Sequence, residues 1–387
     1  MAEYNNNIVH SPIELKGLSK YISLVIHRGV ERAIWVFCEL GIADLMASYQ
    51  APITASKLSK LNGNNWNAEF LYRLLRVIAD ADIITELKTD SENSNKYDHP
   101  EETIRFQLTE DGLLLTSSHF SKARDLIRFE LNPTGENTNV YFPSLIKFGY
   151  ENGTGFEQTF GCKVFDYLQK EENKEFANIF DNAMVTYSSH TASSMVSVID
   201  FTRFHKLVDI AGGLGTLLSS ILEKNQNLQG ILFDLAHVIE NAKMTNPNEF
   251  QRRQIEPNRY DFIVGDMFKS QTIPPGDAYI LKHIIDSWDD EKSIEILKSI
   301  RDANKSQIEK TTTVFIIETI ILSNDKDNLE AHAMDLVMLS ETGAKGRTLA
   351  EYISLLNQSG YEMKQLYRAN SLCSIIEAVT TTQNCDC

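Results

Sequence analysis

Long apolar runs are absent from this chain of 387 residues. No stretch approaches the roughly 20 consecutive apolar residues that a membrane helix needs. Residues 1–12 include Glu3 and several asparagines and lack the apolar core of a secretory signal. The sequence therefore predicts a protein without membrane partners that stays in the cytoplasm.

Cysteine is also scarce. The chain has five cysteines, which are scattered along it: Cys38, Cys162, Cys373, Cys385 and Cys387. An odd number without regular spacing predicts reduced thiols, as in a cytoplasmic protein. The last two stand close together but have no second pair of ligands nearby, so no metal site is predicted.

Basic residues are outnumbered, with 37 lysines and arginines against 53 acidic residues and a formal net charge of -16. Such a surface repels nucleic acid backbones and anionic headgroups, and it admits small neutral or cationic ligands more easily. The length exceeds the roughly 250 to 300 residues at which single cores stop growing. Two folded units are expected.

The pattern of residues 1–118 predicts a mostly helical unit of the winged-helix type. Apolar periodicity predicts three helices, Ala33–Gly41, Thr54–Leu61 and Ala68–Ile78. Two β-rich runs, Ile83–Leu87 and Arg105–Thr109, flank a polar wing over residues 90–102. DNA binding is the alternative, but the segment has more acidic than basic side chains and Phe70–Leu75 is largely apolar. A role in dimerisation is favoured.

Residues 119–204 predict a helical connector, and residues 205–387 alternate between strands and helices. The predicted strands are Leu207–Ile210, Gly230–Leu235, Tyr260–Val264, Ala278–Leu281 and Thr313–Thr319. Helical stretches such as Thr216–Lys224 and Glu291–Ala303 separate them. This alternation is typical of an α/β fold with a doubly wound, Rossmann-like sheet, whose ligands bind beyond the carboxyl ends of the strands.

The first predicted strand of this domain leads into a glycine-rich turn over Ala211–Gly215. Glycine allows a sharp turn and close approach to a ligand. Asp234 ends the next strand, where a carboxylate can bind ribose hydroxyls, and Asp266 follows another strand, as suits an adenine amino group. The dinucleotide fingerprint needs a third glycine where Leu218 stands, so it is incomplete. A nucleoside-bearing cofactor is predicted.

These segments resemble the cation-independent small-molecule O-methyltransferases of the caffeic acid and hydroxyindole type. The matching segments are Val208–Gly213, Phe233–Ile239, Gly265–Phe268, Leu281–Lys282 and Trp288–Glu291, preceded by Glu39–Asp44, Tyr72–Leu75, Leu108–Gly112, Val164–Tyr167 and Asn182–Met184. The resemblance implies S-adenosylmethionine as cofactor, a small hydroxylated acceptor, and a homodimer formed through the N-terminal domain. By resemblance, the cofactor-binding residues are Ala211, Gly212, Gly213, Asp234, Asp266, Met267 and Lys282. The acceptor pocket is lined by Phe180, Met184, His332 and Met338.

The catalytic pattern of the family is altered in this chain. In the family a histidine two residues before the tryptophan removes the acceptor proton, and two glutamates orient it. Here Asp286 stands at the histidine position, Glu318 matches the first glutamate, and Gly346 replaces the second. His283 is the nearest substitute base. Ala211 also departs from the family, which has glycine there.

An aspartate is a weak base for this reaction. Its ordinary pKa of about 3.9 lies about 2.6 units below that of histidine, and a positioned base contributes roughly 10² to 10⁴ in rate. Burial beside Glu318 would raise the pKa of Asp286 and restore part of that loss. Capping of the helix that follows Trp288 is an alternative role for Asp286 and Ser287.

Three functions remain open at this point. The first is an inactive or much weakened homologue that binds the cofactor. The second is an active O-methyltransferase that uses Asp286, His283 or an unusually acidic acceptor. The third is an enzyme of another reaction class, such as a pericyclic rearrangement or a hydroxylation, built on the same fold.

Overall fold

The computed structural model describes residues 17–87, 99–305, 311–322, 328–368 and 373–381. Two compact units divide the chain, Met1–Leu131 and Asn132–Cys387. Within the described ranges, no helix has both the length and the apolarity that crossing a membrane requires. Cys385, Cys387 and most of the predicted wing lie outside these ranges.

The first unit is mostly helical, as predicted. Its helices are α1 (Leu18–Glu39), α2 (Ile42–Tyr49), α3 (Ala55–Leu58), α4 (Ala68–Asp80), α5 (Pro100–Thr103), α6 (Glu110–Leu113) and α7 (Ala123–Glu130). Its strands β1 (Ile53–Thr54), β2 (Ile84–Leu87) and β3 (Arg105–Leu108) form an antiparallel sheet with β3 in the centre. The two-residue β1 is too short to be recognised from its sequence.

The first half of α1 has an exposed apolar face. Its large side chains are between 50% and 73% exposed: Leu18, Tyr21, Ile22, Val25 and Ile26. Their spacing of three and four residues places them on one side of the helix. The second half of α1 instead contributes buried residues to the core of this unit. The exposed face is therefore not used by the core of the unit to which it belongs.

The second unit begins with helices and continues with a large sheet. The leading helices are α8 (Pro133–Asn139), α9 (Phe142–Phe148), α10 (Gly155–Phe160), α11 (Val164–Leu168) and α12 (Lys174–Val198). The next elements are β4 (Lys206–Ile210), α13 (Thr216–Lys224), β5 (Gln229–Asp234), α14 (Ala236–Met244), α15 (Glu249–Arg252), β6 (Tyr260–Val264), β7 (Ala278–Lys282) and α16 (Asp290–Ala303). The last are β8 (Thr313–Glu318), α17 (Leu329–Glu341), α18 (Leu349–Gln358), β9 (Tyr361–Arg368) and β10 (Ser374–Thr380).

The seven strands of this sheet run in the order β6, β5, β4, β7, β8, β10, β9. The first five are parallel, and β10 is antiparallel to both β8 and β9. Apolar side chains from the sheet and its helices form two buried clusters. The predicted doubly wound α/β domain is confirmed, and the carboxyl ends of β4, β5, β6, β7 and β8 meet at one edge.

A buried arginine fixes the segment between β7 and α16. Arg347 is 0% exposed and donates to a carboxylate oxygen of Asp290 at 2.8 and 2.9 Å and to the carbonyls of Ile285 and Trp288 at 2.6 and 2.7 Å. The helix α16 is capped by Asp289, whose side chain accepts from the backbone of the first turn. The predicted capping role of Asp286 is therefore wrong.

Replacement of Arg347 by methionine should lower the free energy of unfolding by about 3 kcal/mol, because the change leaves buried carbonyls without a donor. Urea unfolding followed by circular dichroism measures this. The matched control is Lys345→Met, which removes an exposed ion pair with Glu351 at 2.8 Å and should cost less than about 1 kcal/mol. Equal effects of the two variants would contradict the structural role of Arg347.

Candidate active site

The glycine-rich turn after β4 has an unusual backbone. Ala211, Gly213 and Gly215 all have positive φ angles, of 51°, 60° and 85°. A Cβ added at Gly212 would lie 2.6 Å from the Leu232 side chain and 2.7 Å from that of Asp209. Glycine is thus required at residue 212 by space, whereas Ala211 adopts a conformation that favours glycine.

The turn contacts the carboxylate that ends β5. The backbone N–H of Gly213 donates to Asp234 Oδ2 at 2.9 Å, and the N–H of Leu235 donates to Oδ1 at 2.7 Å. Burial raises the pKa of Asp234, although these two N–H groups oppose the shift. The structure brings Gly213 and Asp234 into direct contact, as the sequence predicted for neighbouring strand ends.

Asp266 follows β6, the neighbour of β5 in the sheet. Its Oδ1 accepts from the N–H of Phe268 at 3.0 Å, and its Oδ2 pairs with Lys269 at 2.9 Å. Met267 and Phe268 pack against one of the apolar clusters of the sheet. The hydrogen-bond acceptor Asp266 and the apolar side chains of Met267 and Phe268 are therefore adjacent at the predicted position.

Lys282 ends β7 and lies among acidic side chains. Burial lowers its pKa, while the charges of Glu318, Asp209 and Asp286 act in the opposite direction. Asp209, which received no role from the sequence, is 2% exposed, and its Oδ2 has no hydrogen-bond partner among the described residues. Burial raises the pKa of Asp209 to about 7. The one sequence signal for Asp209 is that it is an acidic residue inside an otherwise apolar predicted strand.

Glu318 holds the turn that follows β7. Its carboxylate is 0% exposed, and Oε1 accepts from the backbone N–H groups of Ile284, Ile285 and Asp286 at 3.1, 3.0 and 3.4 Å. The other oxygen, Oε2, has no hydrogen-bond partner among the described residues. His283 Nδ1 lies 3.3 Å from it. Glu318 thus positions the predicted catalytic segment through its backbone.

His283 and Asp286 face each other across this turn. His283 Nδ1 lies 3.4 Å from Asp286 Oδ2, and Ser287 Oγ donates to Asp286 Oδ1 at 3.2 Å. The φ angle of His283 is 51°, a backbone conformation that residues other than glycine rarely adopt. The three candidate catalytic residues therefore form one cluster, although Glu318 is 32 positions away from Asp286 in the chain.

Burial raises the pKa of Asp286, but the hydrogen bond and positive charge of His283 outweigh burial, and the pKa ends below its ordinary value. The expected rescue of Asp286 as a stronger base is therefore wrong. Burial and Lys282 lower the pKa of His283, yet its contacts with Asp286, Cys373 and Glu318 raise it well above its ordinary value. Burial and the charge of Asp286 raise the pKa of Glu318.

Helix α12 approaches the cluster along one face. Phe180, Met184, Tyr187 and Thr191 are spaced so that they share that face. The Tyr187 ring meets the His283 ring edge-on, with the centroids 6.5 Å apart, and Thr191 Oγ1 lies 3.7 Å from Cys373 Sγ. The first two of these residues are among the predicted pocket residues, and both are partly buried. The predicted wall therefore continues along α12 toward His283.

Cys373 is a neighbour that sequence reasoning missed. Its Sγ lies 3.7 Å from His283 Nε2, and 90 positions separate the two residues in the chain. The other predicted pocket residues lie on α17, where His332 is exposed and Met338 is partly buried. No local motif marks Cys373, because it enters the site at the start of the unpredicted strand β10.

Gly346, at the position of the second family glutamate, is crowded by another side chain. A Cβ added at Gly346 would lie 3.0 Å from Asp335 Cβ and 3.3 Å from Asp335 Oδ1. The N–H of Gly346 donates to the same carboxylate at 2.6 Å. A glutamate at 346 therefore requires Asp335 to move, and the two positions are coupled.

Comparisons with known proteins agree with this arrangement. The family model described as the O-methyltransferase domain matches residues 142–362. Phenazine O-methyltransferase PhzM of Lysobacter antibioticus is 30% identical over 352 residues, which cover 90% of this chain and 92% of that enzyme. This chain belongs to the O-methyltransferase family. The family is dependent on S-adenosylmethionine, so the resemblance seen in the sequence is confirmed.

Another relative and a solved structure support the assignment. Chavicol O-methyltransferase of Ocimum basilicum is 30% identical over 349 residues, covering 88% of each chain. The crystal structure of LaPhzM matches with a TM-score of 0.78 at 28% identity, over 94% of this chain and 99% of that one. The likeness thus extends over nearly the whole length of these O-methyltransferases.

The family glycine should be the more stable residue at position 211, because Ala211 has a φ angle of 51°. We expect Ala211→Gly to raise the free energy of unfolding by about 0.5 to 1 kcal/mol. The matched variant is Gly213→Ala, where an added Cβ meets nothing within 4 Å but φ is 60°, so it should cost about 1 kcal/mol. Thermal unfolding measures both, and a loss of stability in Ala211→Gly would refute the argument.

Proposed function

We propose that this chain binds S-adenosylmethionine at the carboxyl ends of β4, β5, β6 and β7. Support comes from the tight turn at Gly212, where a side chain would collide, and from the buried carboxylate of Asp234 beside it. Asp266 and Met267 offer an acceptor and an apolar surface for the adenine. These residues fit the adenosyl group.

The charged residues next to this turn suit the rest of the cofactor. Asp209 has a buried oxygen without a hydrogen-bond partner among the described residues, and the half-buried Lys282 lies close to it. An ammonium group pairs well with the carboxylate of an amino acid moiety. When bound, S-adenosylmethionine supplies an electrophilic methyl group, and the chain must position the acceptor and accommodate its proton.

We further propose that methyl transfer to ordinary phenols is slow when side chains alone must take up the acceptor proton. The observation that carries this proposal is that both carboxylate oxygens of Asp286, which stands where the family has its histidine, already have contacts. One of its oxygens faces His283 and the other accepts from Ser287, so the carboxylate is already engaged on both sides. An engaged aspartate is a poor substitute for an oriented imidazole.

His283 is the second candidate for the base. Its Nδ1 is oriented by two carboxylates, as a catalytic imidazole often is. Its other nitrogen, however, lies 3.7 Å from the thiol of Cys373, so an acceptor would have to enter between these groups. His283→Gln tests the candidate, since a working base would lose activity on this change.

The proposal is tested with the full-length protein in the presence of EDTA. Calorimetry should show binding of S-adenosylmethionine, and Asp234→Asn should weaken this binding by at least about tenfold because a charged hydrogen bond is lost. Transfer of labelled methyl groups to a panel of simple phenols should be slow. Asp286→His should accelerate it by about tenfold or more, less than the full value of a base because the second glutamate is still missing.

Two outcomes would contradict the proposal in different ways. Absence of cofactor binding in calorimetry would overturn the assignment of the nucleoside site. Wild-type methylation of simple phenols as fast as that of Asp286→His would overturn the weakened transfer. The control variant is Asp289→Asn, a neighbouring acidic residue whose role is to cap α16, which should leave both measurements unchanged.

We also propose a homodimer that uses the exposed apolar face of α1. The double variant Ile22→Glu with Val25→Glu places two charges on this face, so it should convert the dimer to a monomer with the chain mass of 43.9 kDa. Light scattering after size exclusion measures the mass. The control Leu24→Glu changes an equally apolar, exposed residue away from the face and should stay dimeric. A wild-type protein that is monomeric at all concentrations would refute the homodimer.

The cytoplasm is the compartment that we propose. Cys38, Cys162 and Cys373 are described in the structure, and no disulfide joins any of these three. Reduced thiols are typical of a cytoplasmic protein.

A further inference from the structure

Three side chains of the catalytic cluster direct one atom each toward a common point. These atoms are His283 Nδ1, Asp286 Oδ2 and Glu318 Oε2, and they all lie within 4.8 Å of one another. We propose that they bind a divalent transition-metal cation, of the class of Zn²⁺ or Mn²⁺, which helps to ionise the acceptor hydroxyl. This inference rests on the methyltransferase function proposed above and deepens it.

The spacing of the atoms suits such a cation. Ligands about 2.0 to 2.1 Å from a tetrahedral zinc ion stand about 3.3 to 3.4 Å apart. The imidazole nitrogen of His283 lies 3.4 Å from Asp286 Oδ2 and 3.3 Å from Glu318 Oε2. One nitrogen and two carboxylate oxygens form a donor set that zinc and manganese accept.

The remaining polar atoms of the same side chains are held from outside the cluster. Glu318 Oε1 accepts three backbone N–H groups, Asp286 Oδ1 accepts from Ser287, and His283 Nε2 faces Cys373. Outer contacts of this kind orient metal ligands. Glu318 Oε2 is the independent sign of a ligand, because it is fully buried and no contact with hydrogen-bond geometry reaches it from the described residues, although His283 Nδ1 lies 3.3 Å away.

The charges around the cluster also favour a dication. Lys282 interacts with the carboxylates of Asp209, Asp286 and Glu318, so one ammonium faces three acidic groups. A divalent cation bound here would replace the proton of His283 as the positive charge that Asp286 and Glu318 face. Burial of uncompensated charge is costly, and a cation removes that cost.

The cation would take over the task that Asp286 performs poorly. A metal ion lowers the pKa of an oxygen acid bound to it, so the acceptor proton can leave to water and the oxygen becomes a nucleophile. The oxygen then forms its bond to the methyl carbon while the bonding electrons of the S–C bond remain on sulfur. The loss of the family histidine would thus be compensated by the residues that surround its replacement.

Cobalt(II) is the probe, because its visible absorption reports the ligand geometry. The full-length protein, freed of metal with EDTA and exchanged into chelator-free buffer, is titrated with Co²⁺ in a Cys385→Ser, Cys387→Ser background that removes the terminal thiols. We expect one Co²⁺ per chain, displaced by Zn²⁺. Asp286→Asn and Glu318→Gln should each weaken binding by at least about tenfold.

A matched control removes a different imidazole next to a carboxylate. His99 Nδ1 lies 3.1 Å from Glu101, with the histidine side chain 75% exposed, and His99→Ala should leave Co²⁺ binding unchanged. Circular dichroism verifies that the variants fold. If Glu318→Gln does not fold, Asp286→Asn alone tests the metal site. The Asp286 side chain, unlike that of Glu318, does not accept from three backbone N–H groups.

Absence of Co²⁺ binding, or equal binding by Asp286→Asn and wild type, would overturn the site. If the cation is catalytic, bound Co²⁺ should raise methyl transfer to phenols by about tenfold in wild type and not in Asp286→Asn. Binding of Co²⁺ without this rise in wild type would overturn its catalytic role. Neither result touches the cofactor proposal, which is measured by calorimetry in EDTA. A protein that binds Co²⁺ but not S-adenosylmethionine would leave the metal site in place and overturn both the cofactor proposal and the catalytic role of the cation.

Discussion

The carboxylate of Glu318 is the contact on which the candidate site depends. It joins the end of β8 to three consecutive backbone N–H groups after β7. Those donors belong to the segment that carries Asp286, and Arg347 holds the same segment from the other side through the carbonyls of Ile285 and Trp288. Two buried ionic side chains therefore hold this segment, whose Ile285 is also buried in the apolar core of the sheet. Asp286 lies in the short 3-10 helix Ile285–Ser287 that they fix.

Much of the fold could be predicted because its signals are local. Parallel strands that are buried on both faces read as apolar runs, and the glycine turn and strand-end carboxylates occur at fixed distances in the chain. The edge strand β9 could not be predicted, for the opposite reason. β9 lies at the edge of the sheet and its side chains are mostly exposed or half-buried, so its sequence lacks the apolar run that marks the other strands.

The missing parts of the site depend on pairs that are far apart in the sequence. Gly346 was read as the loss of a glutamate, yet Asp335 occupies the neighbouring space and accepts the Gly346 N–H. Cys373 reaches His283 only because β10 pairs with β8 and begins opposite Glu318. Neither relation can be inferred from spacing, since register across a sheet is fixed by the whole set of paired residues.

The replacement of the family histidine is best understood as a rearrangement of the site. Asp286 alone would leave two carboxylates, Asp286 and Glu318, buried next to each other, which is unfavourable without a compensating positive group. His283 lies between them, in a positive-φ conformation that requires support from its surroundings. A decayed site would have little reason to retain a strained residue, a buried oxygen without a hydrogen-bond partner among the described residues, and three outward contacts that align the same side chains. These are the features that the proposed cation site would require, with His283 as its nitrogen donor and Asp286 and Glu318 as its oxygen donors.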